Sequence, residues 1–441
     1  MKLIYGIKDK PKFSALVAFA LQQMLAIIAG TAAVPNIVGQ GLSPSAALFG
    51  AGASTIVYLL FTKFKSPVFL GSSFAFIGSM MAAFGGAVSM SAGYLGLIIG
   101  ATFACIVYVI FAIAAKIVGT GWIGKLLPPV VMGSAVMIIG LSLSANAVSM
   151  LTTSLATTNP NLSMLCGIFS LLVTVLCSVR GGKKLSAFPF VIGISSGYIF
   201  ALVFTLVGKC TGNPSLMMID FGIYADMQWV PDFTFVTAFG GEYDFGQFGG
   251  IGGYIATLAA AYIPVACVTF AEHIADHKNL SSIIETDLLT DPGLHRTLLG
   301  DGVGSLAGAL LGGCPNTTYG ESIGCVAITG NASTVTILAT AILSTVCSFV
   351  APFAAFLLSI PSCIIGGICF SLYGFIAVSG FNMIKKVNLD EHKNVFIIGS
   401  MLITGVGGLT VTFGTLSLTP VACSLIIGVA ANLILNIKKD R

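Results

Sequence analysis

The chain has 441 residues, of which 8% are charged and 56% apolar, with a mean hydropathy of +1.00. Soluble domains carry about 25% charge, so this composition excludes a water-soluble fold and leaves room for many stretches near the ~20 residues that cross a bilayer. The net charge of +4 has a topological explanation, given below, and does not point to nucleic acid as a partner.

Met1 to Lys12 is polar and basic, and the apolar run behind it is long enough to stay as a span, so no cleavable signal is expected. The first two apolar segments cover 13–36 and 44–62. The third, 67–88, opens on Pro67-Val68-Phe69-Leu70-Gly71-Ser72-Ser73-Phe74, which places Pro, Gly and small hydroxyl residues ahead of an apolar run from Phe74 to Phe84. Segments 91–115, 127–149, 162–179 and 186–208 complete a first set of seven. A polar stretch, 209–249, follows. The second set covers 250–275, 301–315, 318–331, 333–357, 361–384, 394–413 and 416–437. Its third member, tenth in the chain, is entered through Gly312-Gly313-Cys314-Pro315-Asn316-Thr317-Thr318-Tyr319-Gly320-Glu321. Two short spans or one re-entrant pair over 301–331 give the same parity.

Charge tests this count. With the N-terminus inside, the inner loops carry Lys63, Lys65, Lys116, Lys125, Arg180, Lys183, Lys184, Lys278, Arg296, Lys385, Lys386 and Lys393. The tails add Lys2, Lys8, Lys10, Lys12, Lys438, Lys439 and Arg441. Only Lys209 falls outside, in a loop with Asp220, Asp226, Asp232, Glu242 and Asp244. The bias toward one face is what the positive-inside rule demands, so both termini are expected in the cytoplasm and 209–249 outside. An odd number of spans per half makes the second half enter from the opposite side. The expected fold is therefore an all-α polytopic membrane protein with 14 transmembrane segments, arranged as a 7+7 inverted repeat. Segments 3 and 10 are the matching broken half-helices, the arrangement by which secondary transporters build midplane sites. Irregular backbone at that depth is tolerated only where it is buried in protein or lines a cavity.

Ionisable residues within spans are costly and mark function. Three acids qualify: Glu272, Asp276 and Glu321, and no Lys or Arg in an expected span pairs with them. Glu272 and Asp276, four apart, share a helix face, where one proton held between them is a means of coupling. Glu321 begins the half-helix after the second break, where a carboxylate is also favoured by the helix dipole. His273 lies about 100° round the helix from Glu272 and reads as structural; His277, His295 and His392 read as solvated loop residues. The 11 cysteines show no paired spacing and read as small core residues. No metal or cofactor is expected. An intramembrane hydrolase is disfavoured because Ser72 and Ser73 have no histidine nearby in sequence, and direct ATP drive because no phosphate loop is present. A channel explains neither the paired breaks nor the inverted halves.

These residues resemble the nucleobase–ascorbate transporter family, in particular its bacterial uracil permease branch, through nearly the whole chain. The strongest motifs are Leu70-Gly71-Ser72-Ser73-Phe74-Ala75-Phe76, Ala271-Glu272-His273-Ile274-Ala275-Asp276, Leu289-Thr290-Asp291-Pro292-Gly293-Leu294-His295-Arg296, and Pro315 through Glu321 with Ile323-Gly324 and Ile328-Thr329 behind it. The resemblance implies a base-binding core, 13–118 with 250–357, and a gate, 127–208 with 361–437, in homodimers joined through the gates. It implies that Glu272 and Glu321 contact the base, that Ser73, Phe74, Tyr319 and Gly320 stand at the broken helices, and that Tyr373 is a gate aromatic facing the base. Coupling would fall to Glu272, Asp276 and Glu321. The implied activity is import of a nucleobase, uracil foremost, in symport with protons. A purine base such as xanthine, or sodium as the coupling ion, is the alternative, and an anion exchanger or channel of similar architecture a more distant one. The chain departs from the family pattern at Gln22-Gln23 in place of Gln-His, at Ser322 in place of Asn, at Cys369 in place of Ser, and at Gly330 in place of a basic residue. Position 276, which varies between His and Asp in the family, is Asp here.

Overall fold

A computed structural model describes residues 3–119, 127–152, 159–185, 189–225, 227–385, 387–413 and 416–436. Lys2, Lys125, Asp226, Lys386, Lys438, Lys439 and Arg441, used above to count charge, lie outside the described residues, as do the side chains of Lys183, Lys184 and Ile328.

Among the described residues, eight helical stretches are long and apolar enough to cross a membrane: α1 (Phe13–Val38), α2 (Pro44–Phe61), α4 (Met90–Val118), α5 with α6 (Pro129–Ser142 and Ser144–Leu151), α7 (Pro160–Arg180), α8 (Pro189–Thr211), α9 (Ile251–Ile284) and α14 (Ser362–Ile384). A ninth is counted if α12 (Thr334–Cys347) and α13 (Ala351–Ser359), bent by 86°, form one span. The protein is thus a multi-pass helical membrane protein. The shorter elements are α3 (Ile77–Ala83) behind a 3-10 turn at Phe74–Phe76, α10 (Leu294–Gly312), α11 (Gly320–Thr329), α15 (His392–Val406) and α16 (Pro420–Leu435).

Two boundaries differ from the hydropathy reading for one reason: polar residues near a helix end depress the local average while the backbone helix continues. The expected 250–275 runs on to Ile284, and the expected 301–315 begins at Leu294. The expected 394–413 stops being helical at Val406 and is followed by a short hairpin, β3 (Val411–Phe413) and β4 (Leu416–Leu418).

The two breaks meet. Leu70–Ser72 forms β1 and Asn316–Thr318 forms β2, paired antiparallel with Leu70 opposite Thr318, Gly71 opposite Thr317 and Ser72 opposite Asn316. The ladder is extended by Ser73 N–H to Pro315 O at 2.9 Å and Tyr319 N–H to Phe69 O at 3.2 Å. All six strand residues are buried, so the backbone polarity that a broken helix frees is satisfied inside the protein, as the bilayer requires. Glycine makes this crossing close enough. Gly300, Gly304, Gly308 and Gly312 recur every four residues along α10, against α2; a Cβ on Gly312 would stand 2.5 Å from the Ala46 carbonyl, and one on Gly50 2.9 Å from that of Gly308. Small residues at this spacing let two membrane helices approach to backbone contact. Ser54 then reaches across, its hydroxyl 2.7 Å from Gly304 O and accepting from Asn316 Nδ2 at 2.8 Å.

Helix packing follows two neighbourhoods. In one, α10 lies on α2 and α4, α12 on α1 and α2, and α9 on α4. In the other, α14 lies on α5, α6 and α7, α8 on α7, and α15 on α16 and α5. They touch where α9 meets α5, α16 and β4, and where α1 meets α8.

Candidate functional site

Both half-helices start at the crossing. Beyond β1 the chain passes Ser73 into the Phe74–Phe76 turn and α3; beyond β2 it passes Tyr319 into α11, whose first turn holds Glu321. The first N–H groups of such helices have no intrahelical acceptor and are free to donate. Helix α9 runs past both starts and supplies Glu272 and Asp276. A cavity of about 410 Å³ lies between these elements and the opposite bundle, with Glu272, Asp276 and Glu321 in its wall beside Ser73, Phe74 and Gly320. The far side is apolar: Val136, Ile139, Leu372, Phe375 and Ile376. No Lys or Arg is among the described residues that line it.

The three carboxyl groups are near enough to one another to interact electrostatically. Asp276 is tied down, with Thr318 Oγ1 donating to its Oδ2 at 2.8 Å; this link between α9 and β2 was not visible in the sequence. Gly320 is open: a Cβ there would meet nothing within 4 Å, so its bare backbone faces empty cavity.

Of the two tyrosines, Tyr319 lines the cavity at the broken helix and Tyr373 does not. Tyr319 is buried, its hydroxyl donates to Ser72 O at 2.7 Å, and its ring fills the space that side chains on Gly71 or Gly30 would need. It braces the crossing, and its hydroxyl is already committed. Tyr373 is buried behind Phe74, ring centroids 5.8 Å apart and edge-on at 77°, and is not part of the cavity wall. Phe74 alone of that pair reaches the space, because it sits at the start of the half-helix while Tyr373 packs from α14.

The histidines divide differently from expectation as well. His273 is buried, with Nδ1 2.6 Å from Asp301 Oδ2 and Nε2 3.0 Å from Thr297 Oγ1, the structural role read from its angle. His277 is not solvated. It is fully buried on the extended α9, donating from Nδ1 to His273 O at 2.8 Å and accepting at Nε2 from Tyr58 OH at 2.6 Å. Asp301, passed over at the edge of an expected span, is fully buried, whereas Glu272, Asp276 and Glu321 are half-buried. His392 is exposed, as expected.

Two departures from the family pattern touch each other. Gln23 Nε2 donates to Ser322 Oγ at 2.5 Å, and the same hydroxyl accepts from Phe69 N–H at 3.1 Å. Gln23 on α1 and Ser322 on α11 together clasp the chain just ahead of β1. Gly330, a third departure, ends α11 in a left-handed conformation, and its carbonyl accepts from Ile4 N–H at 2.7 Å, tying in the N-terminal segment.

Residues 14–414 match a family model described as Permease family (Xan_ur_permease). The chain is 35% identical to the uracil permease of Bacillus subtilis (strain 168) over 452 residues, covering 100% of this chain and 97% of that protein. It is 31% identical to the uracil permease of Escherichia coli (strain K12) over 433 residues, covering 97% and 93%. Among solved structures, the transmembrane domain of a cyanobacterium bicarbonate transporter, BicA, aligns with a TM-score of 0.59 at 13% identity over 97% of this chain and 100% of that one. The murine Slc26a9 anion transporter aligns with a TM-score of 0.64 at 12% identity over 98% and 69%. At such identities the likeness is one of fold.

Proposed function

We propose that this chain, which belongs to the Permease family, is a secondary active permease that imports uracil in symport with protons. As a member of that family it is a transporter and not an enzyme. The observation that carries the substrate is the convergence of Glu272, Glu321 and the open backbone at Gly320 on one cavity. A pyrimidine base presents N–H donors and carbonyl acceptors on one flat ring. Carboxylates accept from the N–H groups and free half-helix N–H groups donate to the carbonyls. Phe74 supplies an apolar surface for the ring. A purine base is the alternative within this chemistry. An anion exchanger of similar fold is opposed by three carboxyl groups in the wall with no cation among the described lining residues.

The remaining parts of the reading follow from placement. The α1–α4 and α9–α13 neighbourhood is the core that holds the base, and α5–α8 with α14–α16 is the gate. The gate's apolar contribution to the cavity suits a surface along which the core moves. Asp276, held by Thr318 at the base of the site, is the proton-coupling residue in concert with Glu272 and Glu321. We take 14 spans in two inverted halves, both termini cytoplasmic, and a homodimer through the gates as the family arrangement. In this orientation the cavity's exposed rim, Asn279 and Ser379, lies toward the C-terminal ends of α9 and α14. That is the face with Lys278 and Lys385, so the conformation is inward-facing.

Uptake of radiolabelled uracil into cells lacking their own permease tests the substrate. Free bases compete and uridine does not, because ribose blocks N1–H. Competition by uridine equal to that of uracil removes the ring-edge mode, and uptake of inorganic anions without any base transfers the chain to the exchangers.

A further inference from the structure

Resting on the base-permease reading, we propose a second, shallower base site at the cavity mouth, built on Asn279 and serving as the release station. Asn279 follows Asp276 by three residues and Glu272 by seven on α9, so all three share one face. It lies about 10 Å along the helix axis from Glu272, at 1.5 Å per residue. A ring held between Glu272 and Glu321 therefore leaves Asn279 free. Asn279 lines the same cavity, is exposed, and its side-chain amide makes no hydrogen bond among the described residues. Across from it on α14 stand Ser379, also exposed, and the Phe375 ring, which is edge-on to Phe190 at 6.2 Å and 70°.

These are the parts of a base site, not of a generic wet rim. A side-chain amide offers an acceptor and a donor side by side, and the same pairing lets Asn read a base edge in nucleic acids. Against uracil its oxygen accepts from a ring N–H while its NH2 donates to the adjacent carbonyl. Phe375 gives the ring a face to lie on and Ser379 a second hydroxyl partner. The site is neutral and open to water, so it holds the base more weakly than the carboxylates do. A base leaving Glu272 and Glu321 is then captured once before release, and a base entering from that side is oriented before it reaches them.

The test uses the full chain in vesicles of both orientations, with radiolabelled uracil, and calorimetry on purified protein. Asn279→Leu keeps the side-chain volume and removes the amide. It is expected to raise KM at least fivefold from the side on which the cavity opens. The KM from the opposite side and the calorimetric Kd of the carboxylate site stay within twofold. Asn279→Gln, which restores an amide, should recover most of the loss. An unchanged KM in a folded Asn279→Leu protein overturns the proposal, and so does a Kd that rises in step with KM, since Asn279 would then belong to the carboxylate site. A wild-type protein that binds no free base overturns the base-permease reading itself, and the shallow site with it.

Discussion

Helix α9 has two polar faces, and they are opposites in every respect but sequence. Glu272, Asp276 and Asn279 look into an open cavity, while His273 and His277, one residue further on from the two acids, look into the protein. On the closed face each histidine nitrogen is matched: His273 by Asp301 and Thr297, His277 by the His273 carbonyl and Tyr58, and Tyr58 in turn by Ser66 at 2.7 Å. On the open face, among the described residues, only Asp276 has a side-chain hydrogen-bond partner, Thr318. A side chain without a partner in an open cavity is available to a ligand, whereas one without a partner in the sealed interior would cost stability. Open and sealed polar groups therefore sort by helical angle, within a single turn.

The comparison is broken most severely from the sealed side. Asp301→Ala removes one half of a buried hydrogen bond and leaves His273 Nδ1 without its partner, a change that costs about 1–3 kcal/mol. Thermal unfolding in detergent should show a strongly lowered Tm or loss of folded protein, with any surviving fraction binding uracil normally. A normal Tm with abolished transport would instead move Asp301 to the functional face.

The open side breaks differently. Glu321→Gln replaces one acceptor with a donor, so a ring N–H of bound uracil loses its partner and affinity falls by about 1–3 kcal/mol. The Tm should hold, because Glu321 stabilises no other side chain across an element. Calorimetry that finds uracil affinity unchanged would end the binding role. Between these extremes, Tyr58→Phe deletes the hydroxyl that serves both His277 and Ser66. It should lower stability by about 1–2 kcal/mol and leave uracil affinity alone. A changed affinity would mean that the two faces communicate.

What could be read from the sequence was what depends on local composition: the membrane class, most span positions, the two Pro/Gly breaks, and Glu272, Asp276 and Glu321 as unpaired acids. Their partners were not legible, because they come from far along the chain. Nothing local says that Ser72 pairs with Asn316, that Tyr319 spends its hydroxyl on Ser72, or that Gln23 and Ser322 are bonded across 299 positions. His277 and Asp301 were misjudged for a simpler reason. His277 lies beyond a hydropathy boundary that the backbone helix ignores, and Asp301 lies at the very edge of an expected span whose helix begins seven residues earlier, at Leu294. Asn279 escaped notice because its importance depends on α14 standing opposite.

The smallest expected change in affinity is also the sharpest cut within the open face. Asp276 accepts a hydrogen bond from Thr318 and shares its helix side with Glu272. Asp276→Asn retains a carbonyl oxygen for Thr318 to donate to, so the link from α9 to β2 survives and the site keeps its shape. Uracil affinity should therefore move by less than about twofold, under ~0.5 kcal/mol. An amide cannot take up and release a proton across the transport cycle as a carboxyl group does. If Asp276 carries the coupling proton, the variant exchanges uracil across proteoliposomes at a normal rate but no longer accumulates it against a gradient when the outside is acidified. Full accumulation by Asp276→Asn would exclude the residue from coupling and leave Glu272 and Glu321 to carry the proton. Loss of exchange as well as accumulation would show that Asp276 belongs with the sealed face, as a structural anchor for the crossing.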